Sequence, residues 1–367
     1  MPHTKALGLT QRIAEGQNDA HQACTDLIDD YDRLISENRL GWSANLSFER
    51  CLGTGGQGAV YLAKRIGADD FCVPVAIKIF SPERYQSLEE YDSDMARVGR
   101  ISAQVARIQH ENLLAVDHFL VRDRIRIMVM EWIEGFDLRR MLTARMYGAT
   151  KNRVSQKRWR QLNEQVVTAG TQQPRLRIDA ALNILRDCLK GLAALHREGI
   201  VHGDIKPANV MLKKTGSAKI IDIGSAHDST CEIPITECTP AYSASSVLEG
   251  EAQSEASDLV SLAYLAIELL SGRPLFKASN DLDELIREKQ SLPHRLNDLL
   301  PDDVAFEEPL IDLLASMLNA VPNSMHDSAD RFLEDLNNQP YRIDQTANLQ
   351  CWVEEMVEFT DTETLPS

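Results

Sequence analysis

An α+β fold, strands first and helices later, is predicted by three stretches of this sequence. A glycine-rich turn, Gly53-Thr54-Gly55-Gly56-Gln57-Gly58, runs into the apolar stretch Ala59-Val60-Tyr61-Leu62-Ala63, and further strands read at Val75–Ile79 and Arg126–Met130. Farther on, Ile178, Leu182, Leu185, Leu189 and Leu192 recur at helical spacing in a helix that runs to His196. Just after it, Val201-His202-Gly203-Asp204-Ile205-Lys206-Pro207-Ala208-Asn209-Val210 packs three polar groups between apolar ends. Asp204 can take a proton from a hydroxyl, Lys206 can offset negative charge beside that oxygen, and Asn209 can offer an oxygen to a metal ion.

The bulk numbers narrow the classes. A chain of 367 residues holds one two-lobed domain or two smaller ones, and 43% hydrophobic residues suffice for a core. The net charge of −16 argues against nucleic acid as the main partner and against adhesion to anionic membranes. Seven scattered cysteines without a Cys-x-x-Cys spacing fit a reducing, cytoplasmic setting with neither a disulfide framework nor a zinc cluster. No signal peptide is read at the start. The longest nearly apolar run, Leu259 to Leu270, is too short for a membrane span and contains Glu268, so it predicts a buried helix.

Each remaining element has its own signal. Residues 1–44 form an extension whose Cys24, Leu27, Ile28, Tyr31, Leu34 and Ile35 predict an acidic amphipathic helix packed on the domain that follows. The glycine turn gives phosphates room for close backbone approach; a plain hairpin or a dinucleotide fold competes, but a strand and not a helix comes after it. Lys78 lies in the strand Val75–Ile79, turned inward toward an anion or else on an exposed face. Met95, Val98, Ile101, Val105 and Ile108 make a helical stripe ending at His110-Glu111-Asn112. Asp222 closes the strand Lys219–Ile221 before Gly224, as a metal ligand or a turn cap. Asp137 can cap a helix. Asp258 can cap the buried helix that Ser257 opens.

Residues 144–177 read as an insertion. Lys151, Arg153, Lys157, Arg158, Arg160, Arg175 and Arg177 make it basic in an acidic chain. It is either a solvated excursion with one short helix or a docking surface for an acidic partner or the chain's own tail. That tail, 337–367, places Leu349, Trp352, Val353, Met356 and Val357 on one helical stripe.

Taken together and in this order, the motifs resemble the eukaryotic-type serine/threonine protein kinase family, as found in bacteria. The glycine turn matches its Gly-x-Gly-x-x-Gly-x-Val, Lys78 its Val-Ala-Ile-Lys, Asp204 and Asn209 its His-Arg-Asp-x-x-x-x-Asn, and Asp222-Ile223-Gly224 its Asp-Phe-Gly. The resemblance covers about 47–336 and implies a two-lobed kinase fold, with a small β-rich lobe over 45–133 and a larger helical lobe over 134–336.

It also implies ATP and Mg2+ as cofactors and a Ser or Thr of a protein as acceptor. Asp204 would orient the acceptor hydroxyl and take its proton, with Lys206 and Thr239 beside it, and Lys78 would bind the α- and β-phosphates. Asn209 and Asp222 would hold the metal ions. Leu52, Gly53, Thr54, Gly55, Gly56, Gln57, Gly58, Ala59, Val60, Ala76 and Met211 would touch the nucleotide. The hinge Glu131-Trp132-Ile133 would bind adenine, Met130 would gate the deeper pocket, and Asp137 would reach the ribose.

Five positions depart from the family. Ile101 stands where the Lys-binding Glu is expected, with Asp94 the nearest substitute. Gly203 replaces the Arg that binds an activation-segment phosphate, which weakens the case for switching through Ser229, Thr230 or Thr236. Ile223 replaces Phe. Ser246 and Met325 replace an acid–Arg pair, and the loss of both leaves no single buried charge. The rival reading is a pseudokinase, a scaffold that binds nucleotide or a partner without efficient transfer.

Overall fold

Strands that alternate or run apolar must bury that surface, and in the N-terminal part they do so in one antiparallel sheet. The structure is a computed structural model that describes residues 24–36, 39–40, 45–230, 239–276, 281–322, 324, 328–341 and 346–360. It divides into two compact units, Met1–Arg107 with Ala115–Trp132, and Ile108–Leu114 with Ile133–Ser367.

In the first unit a helix over 24–36 (α1) buries Cys24, Leu27, Tyr31 and Leu34, one face at helical spacing. Six strands follow: β1 (Arg39–Leu40), β2 (Asn45–Gly55), β3 (Gly58–Ile66), β4 (Cys72–Phe80), β5 (Val116–Arg122) and β6 (Ile125–Glu131). Their order in the sheet is β1-β2-β3-β4-β6-β5, and every pairing is antiparallel. From Val75 to Phe80 every residue of β4 is buried, which explains an apolar run broken only by Lys78. Between β4 and β5 lies α2 (Leu88–Val105), capped by Ser87, with Tyr91, Met95, Val98, Ile101 and Val105 buried.

The second unit begins with β7 (Gly135–Asp137), α3 (Leu138–Met141), α4 (Ala144–Arg153), α5 (Gln156–Gln165), β8 (Val167–Thr168), β9 (Arg175–Leu176) and α6 (Ile178–Arg197). Short strands β10 (Ile200–Val201), β11 (Val210–Lys213), β12 (Ala218–Ile220) and β13 (His227–Asp228) come next. Then come α7 (Ser245–Leu248), α8 (Glu255–Ser271), α9 (Leu282–Ser291), α10 (Leu296–Leu299), α11 (Asp302–Ala305), α12 (Glu308–Leu318), α13 (Ala329–Asn337) and α14 (Thr346–Thr360).

Helix α8 is buried on all sides from Ala256 to Ser271, the central helix that the run Leu259–Leu270 predicts. Its cap is Ser254, in a reciprocal capping box with Ser257, and not Asp258 as expected. Asp258 is one residue past Ser257 and its carboxylate is used elsewhere, as described below. The segment Ile108–Leu114 belongs to this unit because its backbone pairs with β12: Ile220 N–H donates to the Asn112 carbonyl at 2.9 Å and Leu114 N–H to the Ile220 carbonyl at 3.0 Å.

The basic insertion contains two helices, α4 and α5, and the β8–β9 pair. Leu162, Val166, Val167 and Leu176 are buried, and Arg175 makes two bonds to the Asp303 carboxylate at 2.8 and 2.9 Å. The C-terminal helix α14 packs on α4, α5, α6, β7 and β11. Its stripe Leu349, Trp352, Val353 and Met356 is buried, and Arg158 of α5 reaches Glu355 at 3.0 Å.

Candidate active site

Helix α6 and strand β10 deliver the chain to His202, which is wholly buried. The His202 and Gly203 amides each donate to the Asp258 carboxylate at 2.8 Å, and the His196 ring meets it at 3.0 Å. Burial alone would raise the Asp258 pKa; hydrogen bonding by His196 and His202 outweighs it and holds the carboxyl below its ordinary range.

Gly203 adopts φ +75°, and a Cβ there would stand 2.5 Å from Gln253 Oε1, so glycine suits both the backbone and the space. The Gln253 amide donates to the Gly203 carbonyl at 2.9 Å. The residue before Asp204 is thereby held at its N–H by Asp258 and at its C=O by Gln253.

Asp204 sits at the centre of a closed polar circuit. Its Oδ1 accepts from the Thr239 hydroxyl at 2.7 Å. Its Oδ2 accepts from the Asn209 amide at 2.8 Å and lies 2.6 Å from Lys206 Nζ. Lys206 also donates to Thr239 Oγ1 at 2.8 Å, so the carboxylate, ammonium and hydroxyl fix one another. Asn209 uses its amide nitrogen for Asp204, toward both the carboxylate and the backbone carbonyl, which leaves the amide oxygen turned to other use.

Asp222 follows directly on Ile221, whose N–H donates to the Asn209 carbonyl at 2.8 Å. It takes φ +62°, a left-handed conformation uncommon for a non-glycine residue, and its Oδ1 accepts from Gly224 N–H at 3.1 Å. Ile223 is buried, as an apolar replacement for Phe should be. Asn209 and Asp222 supply one neutral and one anionic oxygen, donors of the hard type that Mg2+ takes. Asp137 caps α3 by accepting from Arg140 N–H at 2.9 Å, and it pairs in register with Met211 across β7 and β11.

The other candidates lie in the first unit. The β2–β3 hairpin carries Leu52, Gly53, Thr54, Gly55, Gly56, Gln57, Gly58, Ala59 and Val60. Gly58 alone of its glycines needs to be glycine for packing, since a Cβ would stand 1.9 Å from the Ile79 carbonyl oxygen; around Gly53, Gly55 and Gly56 the space is open.

Lys78 is buried and donates to Gln57 Oε1 at 2.6 Å, with its ammonium 5.3 Å from the centre of the Phe80 ring. Asp94 does not serve it: Arg84, Arg97 and Tyr85 occupy that carboxylate at 2.6 to 2.8 Å. Ala76 and Met130 are register partners and both buried, and Glu131 N–H is committed to the Ala115 carbonyl at 3.0 Å. Trp132 carries the Arg50 guanidinium 5.9 Å above its ring. Ile133 is buried in the second unit.

Thr236, Cys238 and Met325 lie outside the described residues. Sequence reasoning overlooked Gln253 and the use of Gln57 as a partner for Lys78. Nothing local marks either side chain, because each partner is brought by the fold.

The chain is a small antiparallel sheet unit followed by a helical one, and its sequence matches the protein kinase domain over residues 46–330. The chain belongs to the protein kinase family and has its two-lobed fold. Among similar curated proteins is the serine/threonine-protein kinase PkaA of Streptomyces coelicolor, 31% identical over 263 residues, covering 67% of this chain and 42% of the relative. PknL of Mycobacterium tuberculosis, also a serine/threonine-protein kinase, is 30% identical over 236 residues, 63% of this chain and 50% of its own. PrkC of Bacillus subtilis, of the same description, is 27% identical over 247 residues, 66% and 33% respectively. The chain thus spans a third to a half of the length of these relatives.

Proposed function

We propose that this chain is an ATP- and Mg2+-dependent serine/threonine protein kinase. The observation that carries the reading is the circuit of Asp204, Lys206, Asn209 and Thr239, closed by bonds of 2.6 to 2.8 Å. It gives Asp204 a fixed carboxylate to orient an acceptor hydroxyl and take its proton, while Lys206 offsets charge at the same place. Lys78 and the backbone of the glycine turn bind the nucleotide's phosphates, and Leu52, Val60, Ala76, Met130, Met211 and the hinge Glu131–Ile133 meet its base. Asn209 and Asp222 hold Mg2+, which neutralises charge on the phosphates. Asp137 keeps its helix-capping bond and offers its other oxygen to the ribose.

The pseudokinase reading draws on Ile101, Gly203 and Ser246. Against it, the four polar positions Lys78, Asp204, Asn209 and Asp222 are all filled by the family's residues, and Gln57 and Gln253 now support two of the altered places. The tail helix α14 is proposed as the partner of the basic insertion, supported by the Arg158–Glu355 bond. We place the protein in the cytoplasm; among the described residues no helix is long and apolar enough to cross a membrane, and Cys24, Cys51, Cys72, Cys188 and Cys351 carry free thiols.

Incubation with γ-labelled ATP and Mg2+ tests the reading. Label is expected on Ser or Thr of this chain or of myelin basic protein, and Asp204→Ala should cut it by about 10²–10⁴-fold. Equal labelling by both would remove Asp204 from the chemistry, and none by either would favour the scaffold.

A further inference from the structure

The turn Thr239–Ser243 follows directly from the Asp204 circuit. The Thr239 carbonyl accepts from the amides of Tyr242 and Ser243 at 2.8 and 3.1 Å and from the Ser243 hydroxyl at 3.0 Å, so a compact turn hangs from the residue that bonds Asp204. In the family this stretch faces the acceptor polypeptide, and an acid–Arg pair just beyond it fastens it to the body of the domain. Here Ser246 and Met325 stand at those positions.

A different cation meets the turn. Lys289, near the end of α9, is 2% exposed, and its Nζ donates to the Ala241 carbonyl at 2.9 Å. The same ammonium lies 4.1 Å from the centre of the Tyr264 ring and 4.0 Å from that of Phe276. Those rings stand edge to face at 5.1 Å. A buried ammonium is costly unless it is compensated, and a carbonyl oxygen and two aromatic faces are what an ammonium out of water prefers. Tyr264 belongs to α8, the most buried helix, so the cage is anchored in the centre of the unit. Two further bonds fasten the neighbourhood: Tyr242 Oη donates to Glu268 at 2.6 Å, and Gln290 of α9 donates to Glu249 at 2.9 Å.

We propose that Lys289 is a positioning residue for the acceptor polypeptide: its caged ammonium pins the Thr239–Ser243 turn and replaces the acid–Arg pair that this sequence lacks. The role in catalysis rests on the protein kinase reading; the pin itself does not. Because the cage grips a backbone carbonyl, it tolerates any side chain at position 241. Because it lies under the turn, its loss is felt by the acceptor and not by the nucleotide.

Two readouts on the full chain test this. In Lys289→Met, which keeps the length and apolar stem, amide exchange at Tyr242 and Ser243 should quicken about tenfold or more, because the turn that carries those amides is no longer pinned at the Ala241 carbonyl. The KM for myelin basic protein should rise about tenfold while the KM for ATP stays within about twofold. Phe276→Leu, which removes one ring face and keeps an apolar filler, should shift both readouts the same way by about threefold, and it decides the matter if Lys289→Met does not fold. Unchanged exchange would overturn the pin, and faster exchange with an unchanged protein KM would overturn its role in acceptor binding. Faster exchange in a protein whose wild type transfers no phosphate would leave the pin standing and refute the kinase reading.

Discussion

At Asp258 one carboxylate accepts from three donors, the His196 ring and the amides of His202 and Gly203, and so sets the chain one residue before Asp204. Its folded pKa lies below the ordinary 3.8: burial opposes ionisation, but the bonds from His196 and His202 prevail. The unfolded chain binds this proton near 3.8, so the stabilisation is complete above that pH and drains away as pH falls through the lower folded value. Urea midpoints of wild type and Asp258→Asn should therefore differ at pH 7, and the gap should close below pH 3.8, with little change between pH 5 and 7. A gap that persists in acid would place the effect elsewhere. The sequence pattern offers Asp258 as a helix cap, and that part falls to Ser254, which already satisfies the helix end. Gln253 was not legible at all: an amide 50 residues from Gly203 has no signature until the fold joins them.

Among the elements, those with a strong period or a nearly unbroken apolar run are readable. Helix α6 displays its stripe, α8 its nearly apolar run around Glu268, and β4 its apolar run around Lys78. The insertion's charges mask the few apolar residues that matter, so its pattern predicts one short helix where the structure has two, α4 and α5. Arg158, Arg175 and Arg177 are spent inside the fold, on Glu355, on Asp303, and on the Asn163 carbonyl respectively. What holds α14 follows from burial and not from charge. Trp352 is 1% exposed, whereas the side chains of Arg158 and Glu355 are 28% and 24% exposed. Removing a buried Trp costs about 3–5 kcal/mol, but a partly exposed ion pair contributes below about 1 kcal/mol. Denaturant titration should therefore show a large loss for Trp352→Ala and a small one for Arg158→Ala. Equal losses would mean that the ion pair, and not the apolar stripe, seats the helix.

For the molecule as a whole, each unit carries a recognisable share of the family's polar residues, and at three of the departures from the pattern a side chain of this chain's own makes a polar contact. Gln57 takes the Lys78 ammonium where the helix offers Ile101, Gln253 holds the Gly203 carbonyl where Arg is missing, and Lys289 grips the turn where Ser246 stands. The family was legible because its motifs keep their order and spacing; the replacements were not, because each depends on a partner distant in sequence. Such substitution in kind is expected of a working enzyme, whose geometry must survive the loss of the usual residues. The decisive measurement is single-turnover phosphoryl transfer to myelin basic protein by rapid quench, with wild type and Asp204→Asn compared at equal, measured occupancy by Mg2+ and ATP. Transfer by wild type with a fall of about 10²-fold or more in Asp204→Asn is predicted; equal rates, or no transfer from a fully occupied wild type, would contradict the account.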